Sequence, residues 1–118
     1  MSTIFGPYIR EKREALKEKD GRYSLRQVAT RVGIEPSYLS KIERGLPAPL
    51  SEKKVRALSL DLGENPDFLL ALSGKVSLDI QEIIRKRPKL FADLIRQLKE
   101  MPDHAVLRMV REVRDGKW

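Results

Sequence analysis

The sequence contains no cysteine and only one histidine, His104. The absence of cysteine excludes disulfide scaffolds, thiolate zinc sites, iron–sulfur clusters and cysteine nucleophiles, and it is typical of a reducing compartment. One histidine is too few for a His-rich metal site, and we interpret it as a surface residue. The chain also lacks a phosphate-binding glycine loop and a nucleophile–base pair, so we expect no enzymatic activity, no metal and no cofactor.

Long hydrophobic runs are missing as well. No apolar run approaches the roughly 18 residues that a membrane span needs, and the apolar stripes lack the flanking aromatic anchors of a membrane-surface helix. The first seven residues also lack the basic segment, apolar stretch and cleavage site of a signal peptide. We therefore expect a cytoplasmic protein that does not contact a membrane.

Aromatic residues are few, with three Phe, three Tyr and one Trp scattered along the chain. This scarcity disfavours RNA binding by base stacking. Positive charge is plentiful by contrast, because 24 Lys and Arg residues exceed 17 Asp and Glu residues and give a net charge of +7. A charge of that sign and size favours a polyanionic partner.

Glycine and proline recur along the sequence at intervals of about the length of one helix. Apolar and polar residues do not alternate as they do in strands. This pattern predicts an all-α protein. Ser24 and Gln27 have the spacing of a capping box, which marks the start of a helix. Gly33 and Gly45 are placed as helix ends. The five helices predicted for residues 1–74, given with their capping and terminating residues, are 7–19, 24–33, 36–45, 51–62 and 65–72.

Three more amphipathic stretches follow Gly74, and they are closed by Pro88, Pro102 and Asp115. We therefore predict a first domain of residues 1–74 and a helical C-terminal extension of residues 75–118. The apolar stripe of the first stretch includes Val76. The apolar pattern of a single chain does not identify what these stripes pack against. The candidate packing partners are the first domain, a second copy of the chain and another protein.

Residues 24–45 have the layout of a helix-turn-helix, in which two short helices are joined by a tight turn after Gly33. An α-helix fits the major groove of B-form DNA, where the base edges present distinct donors and acceptors. On the exposed side of the second helix, Ser37 is short enough for close approach and Lys41 can donate to guanine. Tyr38 can stack on a thymine methyl group or hydrogen-bond a phosphate.

The chain resembles the Cro/repressor (Xre) helix-turn-helix family in residues 24–29, 32–34 and 36–45, which read SLRQVA, VGI and PSYLSKIERG. The resemblance extends over about residues 7–74. It implies a five-helix repressor-like domain, here followed by about three short helices. It also implies a bacterial or phage-like transcriptional regulator, a repressor that binds a specific double-stranded DNA sequence as a homodimer and is nucleoid-associated when bound.

The resemblance implies functional residues as well. The implied base contacts, on the helix around residues 36–44, are Pro36, Ser37, Tyr38 and Lys41. The implied phosphate contacts are Ser24, Arg26, Gln27, Ser40 and Arg44. The resemblance also implies that Arg13 on the first helix pairs with Glu43 near the end of the third, and we interpret this as a structural ion pair. Two copies spaced one helical turn apart roughly double the specific binding free energy, which favours a dimer.

A function of a different class stays open. The same scaffold can serve as a protein-interaction or antitoxin-like accessory module that docks a protein partner, with the partner bound through residues 75–118. That alternative predicts a large exposed apolar patch on the tail helices and DNA binding that salt weakens strongly. The basic run at residues 85–89 is interpreted as a solvated helix end rather than a phosphate clamp, because cations suit a helix C-terminus.

Overall fold

The computed structural model describes residues 4–116, and within that range it contains helices and no strand. The α-helices are α1 (Phe5–Lys19), α2 (Leu25–Val32), α3 (Pro36–Glu43), α4 (Glu52–Leu62), α5 (Pro66–Leu72), α6 (Leu78–Lys86), α7 (Pro88–Leu98) and α8 (Asp103–Arg114), and a 3₁₀ turn, Gly21–Tyr23, precedes α2. The predicted all-α fold, with five helices followed by three, is confirmed. Between residues 4 and 116, none of the helices has the length and apolar character needed to cross a bilayer.

Local sequence signals explain where several helices begin and end. Ser24 and Gln27 form the predicted capping box, in which Ser24 Oγ accepts from the Gln27 N–H at 3.2 Å and Gln27 Oε1 accepts from the Ser24 N–H at 3.3 Å. At the starts of α4 and α5, the side chains of Ser51 and Asn65 accept a backbone N–H in a similar way. Gly63 follows α4 in the left-handed conformation at φ 72°.

The start of α1 differs from the predicted one, whereas the end of α3 follows the predicted stop signal. Helix α1 begins at Phe5 rather than at Pro7, because proline is tolerated within the first turn, where backbone N–H groups have no intrahelical acceptor. The last residue of α3 is Glu43, and Gly45 ends the helix as predicted, because it adopts the left-handed conformation at φ 78°. The N–H groups of Gly45 and Leu46 donate to the carbonyl oxygens of Ile42 and Lys41 at 2.9 and 3.2 Å.

The chain divides into two compact units between Ser77 and Leu78. In the first unit, α1 and α2 each pack against α3 and α4, and α4 packs against α5. The apolar stripes of these helices meet in one core, which holds α3 in place from behind. The buried apolar residues are Phe5, Ile9, Val28, Ala29, Val32, Ile34, Leu39, Ile42, Val55, Leu58, Leu62, Leu69 and Leu70.

Gly6 allows α1 to approach α3 closely. A Cβ atom at this position would lie 1.8 Å from the carbonyl oxygen of Ile42 and 2.9 Å from its carbonyl carbon. These are backbone atoms, so they cannot move aside as a flexible side chain does. The absence of a side chain at Gly6 therefore sets the distance between the first helix and the C-terminal end of α3.

The second unit contains α6, α7 and α8, and α6 contacts α7. Helix α6 begins at Leu78, so Val76, which the apolar pattern assigned to this helix, lies before it. Each helix is amphipathic, yet none of the side chains described between residues 78 and 116 is buried. Such exposed apolar surface is typical of an interaction site. The most exposed large apolar residues of this unit are Leu78, Ile83, Leu90, Val110 and Val113.

Candidate nucleic-acid interface

Gly33 closes the turn between α2 and α3 in the left-handed conformation at φ 81°. The N–H groups of Gly33 and Ile34 both donate to the Ala29 carbonyl at 2.9 Å, which ends α2 and reverses the chain. Ile34 is buried in the core, and Pro36 occupies the first turn of α3, where its missing N–H costs nothing. These contacts hold the two helices together as one packed helix-turn-helix.

Helix α3 has one buried face and one exposed face. Leu39 and Ile42 are buried in the core, whereas Ser37 and Lys41 are exposed. Neither exposed side chain has a hydrogen-bond or ion-pair partner among residues 4–116. Pro36 is half-buried at the start of the same helix. A hydroxyl group and an ammonium group on an accessible helix face suit the donor and acceptor pattern of base edges.

Tyr38 lies on α3 but is only half-exposed. Its hydroxyl donates to the carbonyl oxygen of Pro49 at 2.6 Å, in the loop that follows α3. The hydroxyl is therefore engaged within the protein, and the ring is the part of Tyr38 that suits contact with a thymine methyl group. The sequence prediction missed this contact, because a hydrogen bond across an irregular proline-containing loop leaves no periodic signal.

The start of α2 brings together the three residues predicted to contact phosphates there. Ser24 Oγ and Gln27 Oε1 are 2.9 Å apart and hydrogen-bonded to each other within the capping box. The amide NH₂ group of Gln27 is not used by this box. Arg26 is exposed, and its guanidinium has no hydrogen-bond or ion-pair partner in the described part of the chain. The helix N-terminus itself adds partial positive charge at this place.

Ser40 and Arg44 lie one turn apart at the end of α3. Arg44 is exposed, and its Nε donates to the Ser40 carbonyl oxygen at 3.3 Å. Arg44 also lines a surface depression together with Glu11 and Glu14 of α1. The surroundings of the Arg44 guanidinium thus include negative charge.

A buried ion pair connects α1 with the end of α3. Arg13 Nε and Nη2 donate to the two carboxylate oxygens of Glu43 at 2.7 and 2.9 Å, and Arg13 Nη1 donates to the Tyr23 carbonyl at 3.1 Å. The two charged side chains are only 7% and 3% exposed. The hydrogen bond to Glu43 raises the pKa of Arg13, although burial acts against it. This bidentate geometry fixes the orientation of α3 relative to α1.

The connection between α1 and α2 is ordered by Asp20 and Arg22. Asp20 accepts from the Arg22 backbone N–H at 3.0 Å and from its guanidinium at 2.6 Å, and these hydrogen bonds lower the pKa of Asp20 to about 2. At the C-terminal end of α2, Arg31 pairs with Asp61 at 2.7 Å and lies 5.0 Å from the centre of the Tyr23 ring. Arg22 and Arg31 are therefore engaged within the protein, unlike Lys41 on the exposed face of α3.

Comparison with known proteins gives one match. A family model described as helix-turn-helix matches residues 9–69, more than half of the 118-residue chain. The matched residues run from α1 into α5 and include the turn at Gly33 and every residue predicted to contact DNA. Neither the curated proteins nor the solved structures give a significant match.

Proposed function

The chain belongs to the helix-turn-helix family, whose domains bind DNA, and from that membership we propose that it is a transcriptional repressor that binds a specific double-stranded DNA sequence as a homodimer. Residues 1–74 form the DNA-binding domain in this proposal, and residues 75–118 form the extension for dimerisation or partner binding. Such a repressor acts in the cytoplasm of a bacterium or a phage-infected cell, associated with the nucleoid. The observation that supports it most directly is the exposed face of α3, where Ser37 and Lys41 have no partner among residues 4–116.

Base contacts and phosphate contacts have separate roles in this proposal. Side chains on α3 enter the major groove and distinguish base pairs by hydrogen bonds and apolar contact. Contacts to the DNA backbone hold the domain in register but carry no sequence information. The proposed base contacts are Pro36, Ser37, Tyr38 and Lys41, and the proposed phosphate contacts are Ser24, Arg26, Gln27, Ser40 and Arg44.

Replacing Lys41 with alanine is expected to weaken binding to the specific sequence by about 1–3 kcal/mol, or about five- to 150-fold, because it removes a donor to guanine. Fluorescence anisotropy with the specific duplex and a scrambled duplex measures this change. Lys19→Ala is the matched control, since it removes the same charge from the exposed end of α1. An equal loss of affinity for both duplexes, or no loss, would contradict a base contact at Lys41.

Selection from a library of random duplexes tests the function as a whole. We expect enrichment of a sequence with two-fold symmetry, bound on the order of 10³-fold more tightly than a scrambled duplex. Affinities for both duplexes are compared at two salt concentrations, because backbone attraction weakens steeply with salt. Enrichment of no sequence, together with binding that is lost at the higher salt concentration, would contradict sequence-specific regulation.

Replacing Leu90 with aspartate is expected to weaken the homodimer at least about tenfold, because burying an unpaired charge at an interface is costly. Leu90 is 69% exposed on α7, so the substitution leaves the fold of a single chain intact. Leu60→Asp is the matched control, since Leu60 on α4 is 73% exposed. Analytical ultracentrifugation measures both variants, and a dimer unaffected by Leu90→Asp would exclude this part of α7 from the interface.

The second candidate function is a protein-interaction or antitoxin-like accessory module. The observation that favours it is the second unit, whose amphipathic helices have no buried side chain between residues 78 and 116. A module of this kind is expected to bind DNA weakly and with strong salt dependence until a partner covers the tail. The library selection distinguishes the two functions, because only the repressor selects a symmetric sequence without a partner.

A further inference from the structure

An open groove of about 440 Å³ lies in the first unit, at the C-terminal end of α3. Its walls come from the start of α1, the end of α3, the loop of residues 46–50, α4 and the chain after α5. Most of the lining is apolar, with Phe5, Ile42, Leu46, Leu50 and Val55 among the wall residues. Its volume lies within the range of about 300–1,000 Å³ that small-molecule sites have in proteins.

Lys75 is the one charged residue among those that line this groove in the described part of the chain. It is exposed, and its Nζ donates to the carbonyl oxygen of Leu50 in the loop. An ammonium group has three N–H donors, so this contact leaves others available for a ligand. Among residues 4–116, no carboxylate lines the groove to compete for them.

We propose that this groove binds a small amphipathic carboxylate, with an alkyl or aryl body on the apolar walls and the carboxylate on Lys75. The apolar body gains binding free energy by leaving water. Besides Lys75, the polar side chain that lines the groove among the described residues is Ser73, and its hydroxyl already donates to the Leu70 carbonyl at 2.7 Å. The carboxylate gains a charge-assisted hydrogen bond, which is stronger than a neutral one. An amine of the same shape meets repulsion at the same place.

The groove has a physical connection to α3. Ile42 and Gly45, which line it, lie in the last turn of α3 and directly after it. Pro49 also lines the groove, and its carbonyl oxygen holds the Tyr38 hydroxyl at 2.6 Å. A ligand that moves the loop of residues 46–50 therefore alters the position of Tyr38, and we expect several-fold weaker DNA binding in its presence. This consequence rests on the proposed function, whereas ligand binding itself does not.

Binding is tested on the full chain without DNA, with decanoate as the probe and decanol and decylamine as matched controls, all below micelle-forming concentrations. Isothermal titration calorimetry gives the affinity, and methyl NMR shows whether Ile42, Leu46, Leu50 and Val55 respond. Decanoate is expected to bind about tenfold more tightly than decylamine, and Lys75→Met is expected to abolish this preference. Lys19→Met is the control for a general loss of positive charge.

Equal affinity for the acid and the amine, absence of saturable binding, or shifts confined to the apolar residues of α7 and α8 would each overturn the proposed site. If the Lys75→Met variant still binds decanoate more tightly than decylamine, the proposed role of Lys75 would be overturned. The effect of decanoate on DNA affinity is then measured with the selected duplex. Carboxylate binding in a chain that selects no DNA sequence would contradict the proposed function and leave the groove as a ligand site.

Discussion

Replacing Glu43 with alanine is expected to lower the free energy of unfolding by about 3–5 kcal/mol, the largest effect of a single substitution that we predict. Glu43 accepts two hydrogen bonds from Arg13, and the pair is almost fully buried. Alanine leaves the Arg13 guanidinium buried without its counter-charge, and arginine does not lose its proton to escape that cost. Urea denaturation measures the change as a shift of the midpoint at constant slope.

Glu14→Ala is the matched control for this substitution. Glu14 forms an ion pair with Arg10 within α1 at 3.4 Å, but both side chains are more than half exposed. Exposed pairs of this kind contribute about 0.2–1 kcal/mol, so this variant is expected to remain close to the parent. Equal effects of the two substitutions would show that the Arg13–Glu43 pair does not hold α3 in place.

Replacing Gly6 with alanine is expected to destabilise the protein by about 1–3 kcal/mol through overpacking. Alanine is a better helix former than glycine by roughly 0.5–1 kcal/mol, so the local preference of α1 acts in the opposite direction. The cost of the steric clash exceeds the gain in helix propensity, because the added Cβ would lie 1.8 Å from the Ile42 carbonyl oxygen, a backbone atom. The two helices must separate, and the position of α3 changes with them.

Gly21→Ala is the control for the Gly6 substitution. A Cβ at Gly21 meets no atom within 4 Å among the described residues, and this glycine does not have a positive φ. Its effect on the unfolding free energy is expected to stay within about 0.5 kcal/mol. Gly6→Ala has two expected effects, a lower unfolding free energy and a displaced α3. Urea denaturation measures the first effect. DNA-binding affinity measures the second, because a displaced α3 binds DNA more weakly even where the chain remains folded. An increase in stability for Gly6→Ala would contradict the close approach.

Several features of this protein were predictable from the sequence because they depend on residues close together in the chain. The capping box of Ser24 and Gln27 and the left-handed turn at Gly33 are made by hydrogen bonds that reach only three to five residues along the chain. The paired Arg13 and Glu43 were different, since 30 residues separate them and only the family resemblance suggested the contact. Spacing alone contains no information about a pair that distant.

The amino-acid sequence by itself determined the helical class, the eight helices with most of their ends, and the inward faces of α2 and α3, because periodicity and capping are local. Only the tertiary structure decided that Gly6 lets α1 reach α3, that the Pro49 carbonyl holds Tyr38, and that apolar walls and Lys75 form a groove. The physical reason is that these contacts join segments far apart in the chain, where packing rather than local propensity selects the neighbours.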